Sequence, residues 1–148
     1  MTRFESPLAG SALHKFLIIH RHLRQYGRQM DDQGIRPRQF SVLRFLQENG
    51  PATVGEVQEY LYTSASTAST VISQLEESGL VSRTRSEEDN RVVIVELTSA
   101  GSALADETPL GGIPLLRRRL RALPEERLRI IDQALTDIME LMEVSDTE

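Results

Sequence analysis

The spacing of apolar residues predicts a mainly helical protein with one short β-rich stretch. Apolar positions recur at three- and four-residue steps from Leu8 to Met30 and again after Pro37, as on one face of a helix. The sequence Asn49-Gly50-Pro51 ends the second helix. Two shorter helices are predicted over residues 54–61 and 64–77, the first opened by a capping box of Thr53 and Glu56 and the second capped by Thr63 or Ser64. The inward positions predicted for the second and fourth helices are Phe40, Leu43, Leu46, Ala68, Val71, Ile72 and Leu75.

Behind the fourth helix the pattern changes to strand composition. Gly79 is placed to adopt the left-handed conformation that ends a helix, with Leu80 as the apolar contact beyond it. Residues 81–85 and 91–97 are predicted to be strands, joined by the polar loop 86–90. A hairpin directly behind a helix-turn-helix pair is the arrangement of a winged-helix domain. The predicted fold class is therefore mainly α with a small β-hairpin wing.

The last third of the chain is predicted to be helical but interrupted. Residues 98–101 start a helix, residues 109–114 break it as either a hinge or a kink, and Pro124 is expected at the first position of a final helix. The terminal helices lack a partner within the middle of the chain, so we expect them to pack on each other and on a second copy in a two-fold dimer. The final helix carries a coiled-coil-like seam of Leu128, Ile131, Leu135, Ile138 and Met142.

Length and composition fit one domain of 148 residues. Within it, residues 37–98 are expected to form the winged-helix part, and residues 8–33 and 99–144 the helical dimerisation part. The chain has no cysteine, which excludes disulfides, zinc–thiolate sites and thiol-based sensing, and fits a reducing compartment. Since no signal peptide or membrane span is recognisable, a soluble cytoplasmic protein without a membrane partner is expected.

The distribution of charge is more informative than the net charge of −5, which alone argues against a nucleic-acid partner. Arginines cluster within residues 21–44, 83–91 and 117–121, and basic patches on an acidic protein can bind DNA because the Debye length is about 8 Å at physiological salt. An enzyme is disfavoured, since hydrolase, nucleotide-binding and zinc-protease motifs are absent and all three histidines lie within residues 14–22. Neither a metal nor a cofactor is expected.

The fourth helix is rich in hydroxyl side chains on the face that points away from the core. Such groups can bond to base edges and phosphates, and a threonine methyl can contact a thymine methyl. A helix selected for stability alone would favour Glu, Lys, Arg and Ala, because Ser and Thr are weaker helix formers. This composition indicates a contact surface, the alternative being a merely polar face. The side chains are Ser64, Ser66, Thr67, Ser69, Thr70, Ser73 and Gln74.

The predicted hairpin carries three arginines, Arg83, Arg85 and Arg91. Arginines in such a hairpin can contact phosphates or enter a narrow minor groove, whose negative potential attracts them. Asp89 is placed to orient the guanidinium of Arg91 through a bidentate pair. The alternative is a solvated hairpin whose charges are balanced by Glu87 and Glu88.

Together these motifs resemble the MarR family of transcriptional regulators. The family pattern has a helix-turn-helix before GLV-x-R, an acidic loop with Asp-x-Arg, a strand, and LT-x-x-G. Here these motifs are residues 79–83 (GLVSR), 89–91 (DNR) and 97–101 (LTSAG). The resemblance implies a homodimeric repressor that binds pseudo-palindromic double-stranded DNA, with its recognition helix in residues 64–74. It also implies that Arg91 enters the minor groove, oriented by Asp89.

The recognition helix departs from those relatives that carry a basic residue at the positions of Thr70 and Gln74. Electrostatic affinity must then come from elsewhere. If five arginines of each subunit touched phosphate, a dimer would neutralise about ten charges, and the salt dependence of affinity would have a slope near −9 as an upper bound. These arginines are Arg36, Arg38, Arg83, Arg85 and Arg91, and Thr53 is a further candidate contact.

The resemblance also implies a small-molecule effector. Many members release DNA when a small, often aromatic or phenolic, ligand binds between the winged helix and the dimer helices. The candidate lining residues are Phe16, His20, Tyr26, Phe40 and Arg44, and the alternative is that these five belong to the core and its rim. The alternative function is a winged-helix module that binds protein without binding DNA.

Overall fold

The computed structural model describes residues 6–146 and divides them into seven helices and three short strands. The predicted bounds of the first, third and fourth helices agree with the structure to within two residues. The elements are α1 (Pro7–Asp32), α2 (Pro37–Asn49), β1 (Ala52–Thr53), α3 (Val54–Leu61), α4 (Ala65–Glu77), β2 (Val81–Arg85), β3 (Val93–Leu97), α5 (Ser99–Glu107), α6 (Gly112–Arg121) and α7 (Glu125–Leu141).

Side chains three residues apart fix where the two short helices begin. The Thr53 hydroxyl accepts from the amide of Glu56 at 3.0 Å, and the Glu56 carboxylate accepts from the amide of Thr53 at 3.3 Å. The predicted capping box is therefore confirmed. Ser64, rather than Thr63, caps α4 by accepting from the amide of Thr67 at 3.2 Å.

The core is built mainly from α2, α3, α4 and the sheet, and every inward position predicted for α2 and α4 is buried. Helix α1 adds Met30 at its C-terminal end, and Ile35 follows in the connection to α2. Helix α5 adds Ala105, so it packs against the winged-helix part. Burial of this apolar surface is the main term that stabilises the fold.

The sheet is antiparallel with the order β1-β3-β2, and β2 pairs with β3 from Val81 opposite Leu97 to Arg85 opposite Val93. Strand β1 was not predicted, because two residues between a helix end and a capping box show no alternation. The predicted second strand was wrong in its start, which lies at Val93 instead of Arg91. The backbone carbonyl of Asp89 accepts from the amide of Val92 at 2.9 Å, which holds these residues in a turn.

The end of α4 and the start of α5 are joined by a compact set of hydrogen bonds. Gly79 takes a positive φ of 74°, and Leu80 donates its amide to the carbonyl of Leu75 at 2.9 Å, as the sequence predicted for a glycine-ended helix. Thr98 then donates its hydroxyl to the carbonyl of Gly79 at 2.6 Å and caps α5 by accepting from the amide of Gly101 at 3.1 Å. The motifs GLV and LT-x-x-G are thus two sides of one contact.

The predicted break within residues 109–114 separates two distinct helices. Helix α5 ends at Glu107, and α6 begins at Gly112, which has a positive φ of 55°. The ring of Tyr26 lies so close to Gly111 and Gly112 that a Cβ atom at either glycine would overlap it. Pro124 corrects a further expectation, since it occupies the N-cap of α7 and the helix begins one residue later.

Helices α1 and α7 leave most of their apolar residues uncovered in the single chain. Among the described residues of α1 only Met30 is buried, and none of α7 is. No helix within residues 6–146 has both the length and the hydropathy needed to cross a membrane. The exposed apolar residues of the two helices include Leu8, Leu13, Leu17, Ile18, Ile19, Leu23, Ile130, Leu135, Met139 and Leu141.

The contact between Gly101 and Leu80 generates a stability prediction. A Cβ atom at Gly101 would overlap the carbonyl oxygen of Leu80, which is backbone and cannot rotate away. Gly101→Ala should therefore lower the free energy of unfolding by about 1–3 kcal/mol in urea denaturation. Gly27→Ala is the matched control in α1, where the nearest atom to the new Cβ is the Pro37 Cγ at 3.7 Å. This control should raise stability by up to about 1 kcal/mol, and equal effects of the two substitutions would contradict the steric explanation.

Candidate nucleic-acid interface

The exposed face of α4 and the start of α2 form a groove of about 250 Å³. Arg36 and Arg38 contribute guanidinium groups at the start of α2, and α4 contributes hydroxyl and amide groups. The groove brings together many of the contact residues predicted from the sequence and adds Gln39, which sequence reasoning missed. Its lining residues are Arg36, Arg38, Gln39, Ser66, Thr67, Thr70, Val71 and Gln74.

The hydroxyl groups of α4 are partly committed to one another. The Ser64 hydroxyl donates to the Thr67 hydroxyl at 2.9 Å, and the hydroxyls of Ser64 and Ser66 lie 3.2 Å apart. The Thr70 hydroxyl donates to the backbone carbonyl of Ser66 at 2.9 Å. Because a hydroxyl has a single proton, Thr70 presents acceptor lone pairs and its methyl group to a partner. Ser69 is exposed on the same helix.

A chain of amide hydrogen bonds crosses from α2 to α4. The backbone amide of Arg36 donates to Gln39 Oε1 at 3.0 Å, and Gln39 Nε2 donates to Gln74 Oε1 at 3.1 Å. Gln39 lies three residues after Arg36, the N-cap residue of α2, and this position is the signal that could have identified it, since Gln there reaches back to the backbone amide of the N-cap residue.

The wing carries Arg91 on an outward-facing, pre-ordered side chain. Arg91 donates from Nε to Asp89 Oδ1 at 3.1 Å and from Nη2 to Asp89 Oδ2 at 3.2 Å, which confirms the predicted bidentate pair. These hydrogen bonds lower the pKa of the Asp89 carboxyl below its ordinary value, so Asp89 is ionised at neutral pH. The Arg91 side chain is nevertheless 90% exposed, and its guanidinium remains accessible to an incoming phosphate.

The other two arginines of the wing have partners that the sequence did not indicate. Arg83 donates from Nη2 to Glu76 Oε1 at 2.9 Å, and its backbone amide donates to Glu76 Oε2 at 3.2 Å. These contacts lower the pKa of Glu76 and tie the wing to α4. Arg85 donates to the backbone carbonyl of Asn90 at 2.7 Å and is exposed. Arg83 and Arg85 are thus bound by Glu76 and by the Asn90 carbonyl, and not by Glu87 or Glu88, which the alternative of a solvated hairpin had suggested.

Thr53 and the effector candidates lie away from this groove. The Thr53 hydroxyl caps α3, as described above. The expectation that Phe40 lines an effector pocket is corrected, because the Phe40 side chain is wholly buried in the core. Tyr26 packs on Gly111 and Gly112, and burial raises the pKa of its hydroxyl. Phe16 is half-buried and His20 is exposed on α1.

Arg44, the fifth effector candidate, borders a separate cavity of about 150 Å³ between α2, α3 and α6. The Arg117 guanidinium lies 3.7 Å from the ring centre of Tyr60 and donates to the Tyr60 carbonyl at 2.6 Å. Burial raises the pKa of the Tyr60 hydroxyl, and nearby arginines oppose that rise. The cavity is lined by Arg44, Glu48, Tyr60, Pro114, Arg117, Arg118 and Arg121. None of the other four effector candidates is part of it.

No group of three or more His, Asp or Glu side chains within residues 6–146 is arranged to hold a metal ion. The histidines of the first helix show no such grouping with carboxylates in the part of the chain that the structure describes.

The helix pair, the groove-lining α4 and the wing behind it define a winged helix-turn-helix protein. The sequence profile described as MarR family matches residues 35–93. The chain is 31% identical over 99 residues to the HTH-type transcriptional repressor MdtR of Bacillus subtilis, covering 67% of this chain and 64% of that protein. It is 30% identical over 110 residues to the uncharacterised HTH-type transcriptional regulator YfiV of the same organism, covering 74% of this chain and 69% of that protein.

The likeness extends to solved structures. A mutant of E. coli MarR complexed with operator DNA superposes with a TM-score of 0.61 at 21% identity, over 90% of this chain and 94% of that chain. By its sequence matches to the family profile and to these two regulators, the chain belongs to the MarR family of transcriptional regulators. Its curated relatives are named as regulators, not as enzymes.

Proposed function

We propose that this protein is a sequence-specific DNA-binding regulator that represses transcription as a homodimer. The observation that carries the proposal is the arrangement of two binding elements on one winged helix. Helix α4 offers an exposed face of hydroxyl and amide groups in a groove bordered by Arg36 and Arg38, and the wing presents the ordered, 90% exposed side chain of Arg91. MdtR is named as a repressor, and the E. coli MarR mutant was solved with operator DNA, which supports the same role here.

In this proposal α4 enters the major groove, where base edges present distinct donor and acceptor patterns. Residues 64–74 provide the base contacts through Ser64, Ser66, Thr67, Ser69, Thr70 and Gln74. Arg91 enters the adjacent minor groove, and its pairing with Asp89 fixes the guanidinium before DNA arrives. Thr53 donates its amide to Glu56 and holds the start of α3, near the DNA backbone.

Electrostatic attraction comes from fewer arginines than the sequence suggests. Arg83 is neutralised by Glu76, so the cations available to phosphate in each subunit are Arg36, Arg38, Arg85 and Arg91. Eight such contacts in a dimer give a salt slope of about −7 as an upper bound, shallower than the value near −9 expected for ten.

The dimer is proposed to form through residues 8–33 and 99–144. The apolar faces of α1 and α7 are uncovered in the single chain, and α6 and α7 form an apolar groove of about 370 Å³ that includes Leu120, Leu128, Ile131 and Leu135. Contiguous exposed apolar patches are typical of interfaces between chains. Two-fold symmetry would place the two copies of α4 about one helical turn of DNA apart.

An effector that releases DNA must bind more tightly to the dimer whose half-site spacing mismatches DNA. Of the five candidate residues, Arg44 borders a described cavity, and that cavity lies between the helix-turn-helix and α6. We place the effector site there.

Selection of bound sequences from random double-stranded DNA with the purified protein tests the function. Enrichment of a palindrome with half-sites about 10 base pairs apart is expected. If no sequence is enriched and no salt-dependent binding appears, the alternative function, a winged helix that binds protein, is favoured.

Replacement of Arg91 tests the role of the wing. Arg91→Ala should weaken binding to the selected sequence roughly tenfold and reduce the salt slope by up to about 2 per dimer. Arg119→Ala is the matched control, because Arg119 is also exposed but lines neither the groove between α2 and α4 nor the cavity beside α6. Fluorescence anisotropy at several salt concentrations measures both quantities, and equal affinities of the two variants would refute the proposed wing contact.

A charge within the seam of α7 tests the dimer. Leu135 is 56% exposed in the single chain, and Leu135→Glu should give a species of half the native mass in light scattering, since an unpaired carboxylate is costly to bury. Gln133→Glu adds the same charge on the opposite face of α7 and should leave the dimer intact. A dimer that survives both substitutions would exclude this face as the interface.

A further inference from the structure

We infer that Gln74 reads a hydrogen-bond acceptor in the major groove, and that Gln39, which makes no base contact itself, sets this specificity by fixing which end of the Gln74 amide faces the DNA. The inference rests on the proposed function, in which α4 enters the major groove. A glutamine side chain carries a carbonyl oxygen at one end and an NH₂ group at the other, so its orientation decides whether it accepts or donates.

The orientation of Gln39 follows from its contact with the start of α2. The backbone amide of Arg36 can only donate, and it lies 3.0 Å from one terminal atom of the Gln39 side chain. That atom must therefore be the oxygen, Oε1. The other terminal atom of Gln39 is Nε2, and it points across the groove towards α4.

The orientation of Gln74 follows from that of Gln39. Nε2 of Gln39 can only donate, and the Gln74 atom 3.1 Å away must be the carbonyl oxygen Oε1. The carbonyl end of Gln74 is thus turned towards Gln39 and has one lone pair taken, whereas no described partner takes either hydrogen of Gln74 Nε2. Gln74 lines the groove between α2 and α4, so this amide belongs to the proposed contact surface.

A donor at this position discriminates among bases. Guanine presents O6 and N7 as acceptors in the major groove, thymine presents O4, and cytosine presents only its N4 donor. Adenine presents the N7 acceptor beside its N6 donor, and it pairs best with a glutamine whose carbonyl and NH₂ group both face it. In wild type the carbonyl of Gln74 is turned towards Gln39, so this two-bond mode has to share that carbonyl with Gln39. Wild-type protein should therefore prefer guanine or thymine over cytosine at the base that Gln74 contacts, with adenine, which presents both an acceptor and a donor, between them.

The substitution Gln39→Glu reverses the polarity of the chain. A carboxylate can still accept from the Arg36 amide through one oxygen, so the start of α2 keeps its contact. The second oxygen can only accept, and Gln74 must then turn its Nε2 towards it and present Oε1 to the DNA. The base preference should move from guanine or thymine towards cytosine or adenine, with a change in relative enrichment of roughly fivefold, which is what one hydrogen bond is worth.

The experiment is a parallel selection from random DNA with wild type, Gln39→Glu, Gln74→Ala and the double variant Gln39→Glu/Gln74→Ala. Gln74→Ala identifies the base pair concerned, because preference should weaken at that position alone. In the double variant the reversal should disappear, which separates an effect through Gln74 from a general effect of the added negative charge. Thermal unfolding of each variant verifies that the fold is retained. If Gln39→Glu does not fold, Gln39→Met, which lacks any hydrogen-bonding group, should broaden the preference at the same position.

The outcomes separate the inference from the function on which it rests. If wild type enriches no sequence, the proposed function fails. If wild type enriches a palindrome but Gln39→Glu keeps the same base at the position mapped with Gln74→Ala, the inference is overturned and the proposed function stands. A reversal that persists in the double variant also overturns it, because Gln74 would then have no part in the change.

Discussion

The contact between the end of α4 and the start of α5 is the constraint on which the rest of the winged helix depends. Gly79 ends α4 in a left-handed conformation and turns the chain into β2, while Thr98 bonds to the Gly79 carbonyl at 2.6 Å and caps α5. Gly101 leaves room for the carbonyl of Leu80. One small region therefore fixes the direction of the recognition helix, both ends of the hairpin and the first helix of the dimerisation part. Gly79 is required there by its positive φ, Gly101 by the close approach of the Leu80 backbone, and Thr98 by its two hydrogen bonds.

Some arginines of the wing stabilise the fold and others remain available to bind phosphate. The location of each arginine's partner in the structure distinguishes the two groups. Arg83 meets Glu76 through its guanidinium and its backbone amide, so it acts as a brace between the wing and α4. Arg91 is equally well paired, with Asp89, but its partner lies two residues away in the same loop and the side chain remains exposed. Pairing within the loop orders Arg91 without covering it. Glu76 lies on another element, α4. Its pairing with Arg83 therefore fixes the wing, but it leaves Arg83 less available to bind phosphate.

Local features of this fold could be predicted from the sequence, and contacts between elements could not. The capping box at Thr53, the glycine end of α4 and the buried face of α4 depend on residues three to five apart, so the sequence pattern carries them. The link from Gln39 to Gln74 joins residues 35 positions apart, and the packing of Tyr26 on Gly111 joins α1 to the connection before α6. Neither of these two contacts produces a periodic pattern in the sequence. The start of β3 was misplaced for a related reason, because the turn at Asp89 competes with strand pairing.

The contacts of α6 with α1 and α3 show how the geometry of the proposed dimer can be coupled to DNA binding. Tyr26 packs against Gly111 and Gly112, so the end of α1 is held against the start of α6. Arg117, one turn further along α6, stacks on Tyr60 at the end of α3 and bonds to its carbonyl. Helix α6 and the residue before it therefore contact both α1, which belongs to the proposed dimerisation part, and α3, the helix that precedes α4. In the proposed dimer, a movement of α6 that carries α3 with it would also move α4 relative to the two-fold axis, because α3 and α4 share one core with α2. The interruption between α5 and α6 is packed tightly against Tyr26, which favours a fixed bend over a loose hinge.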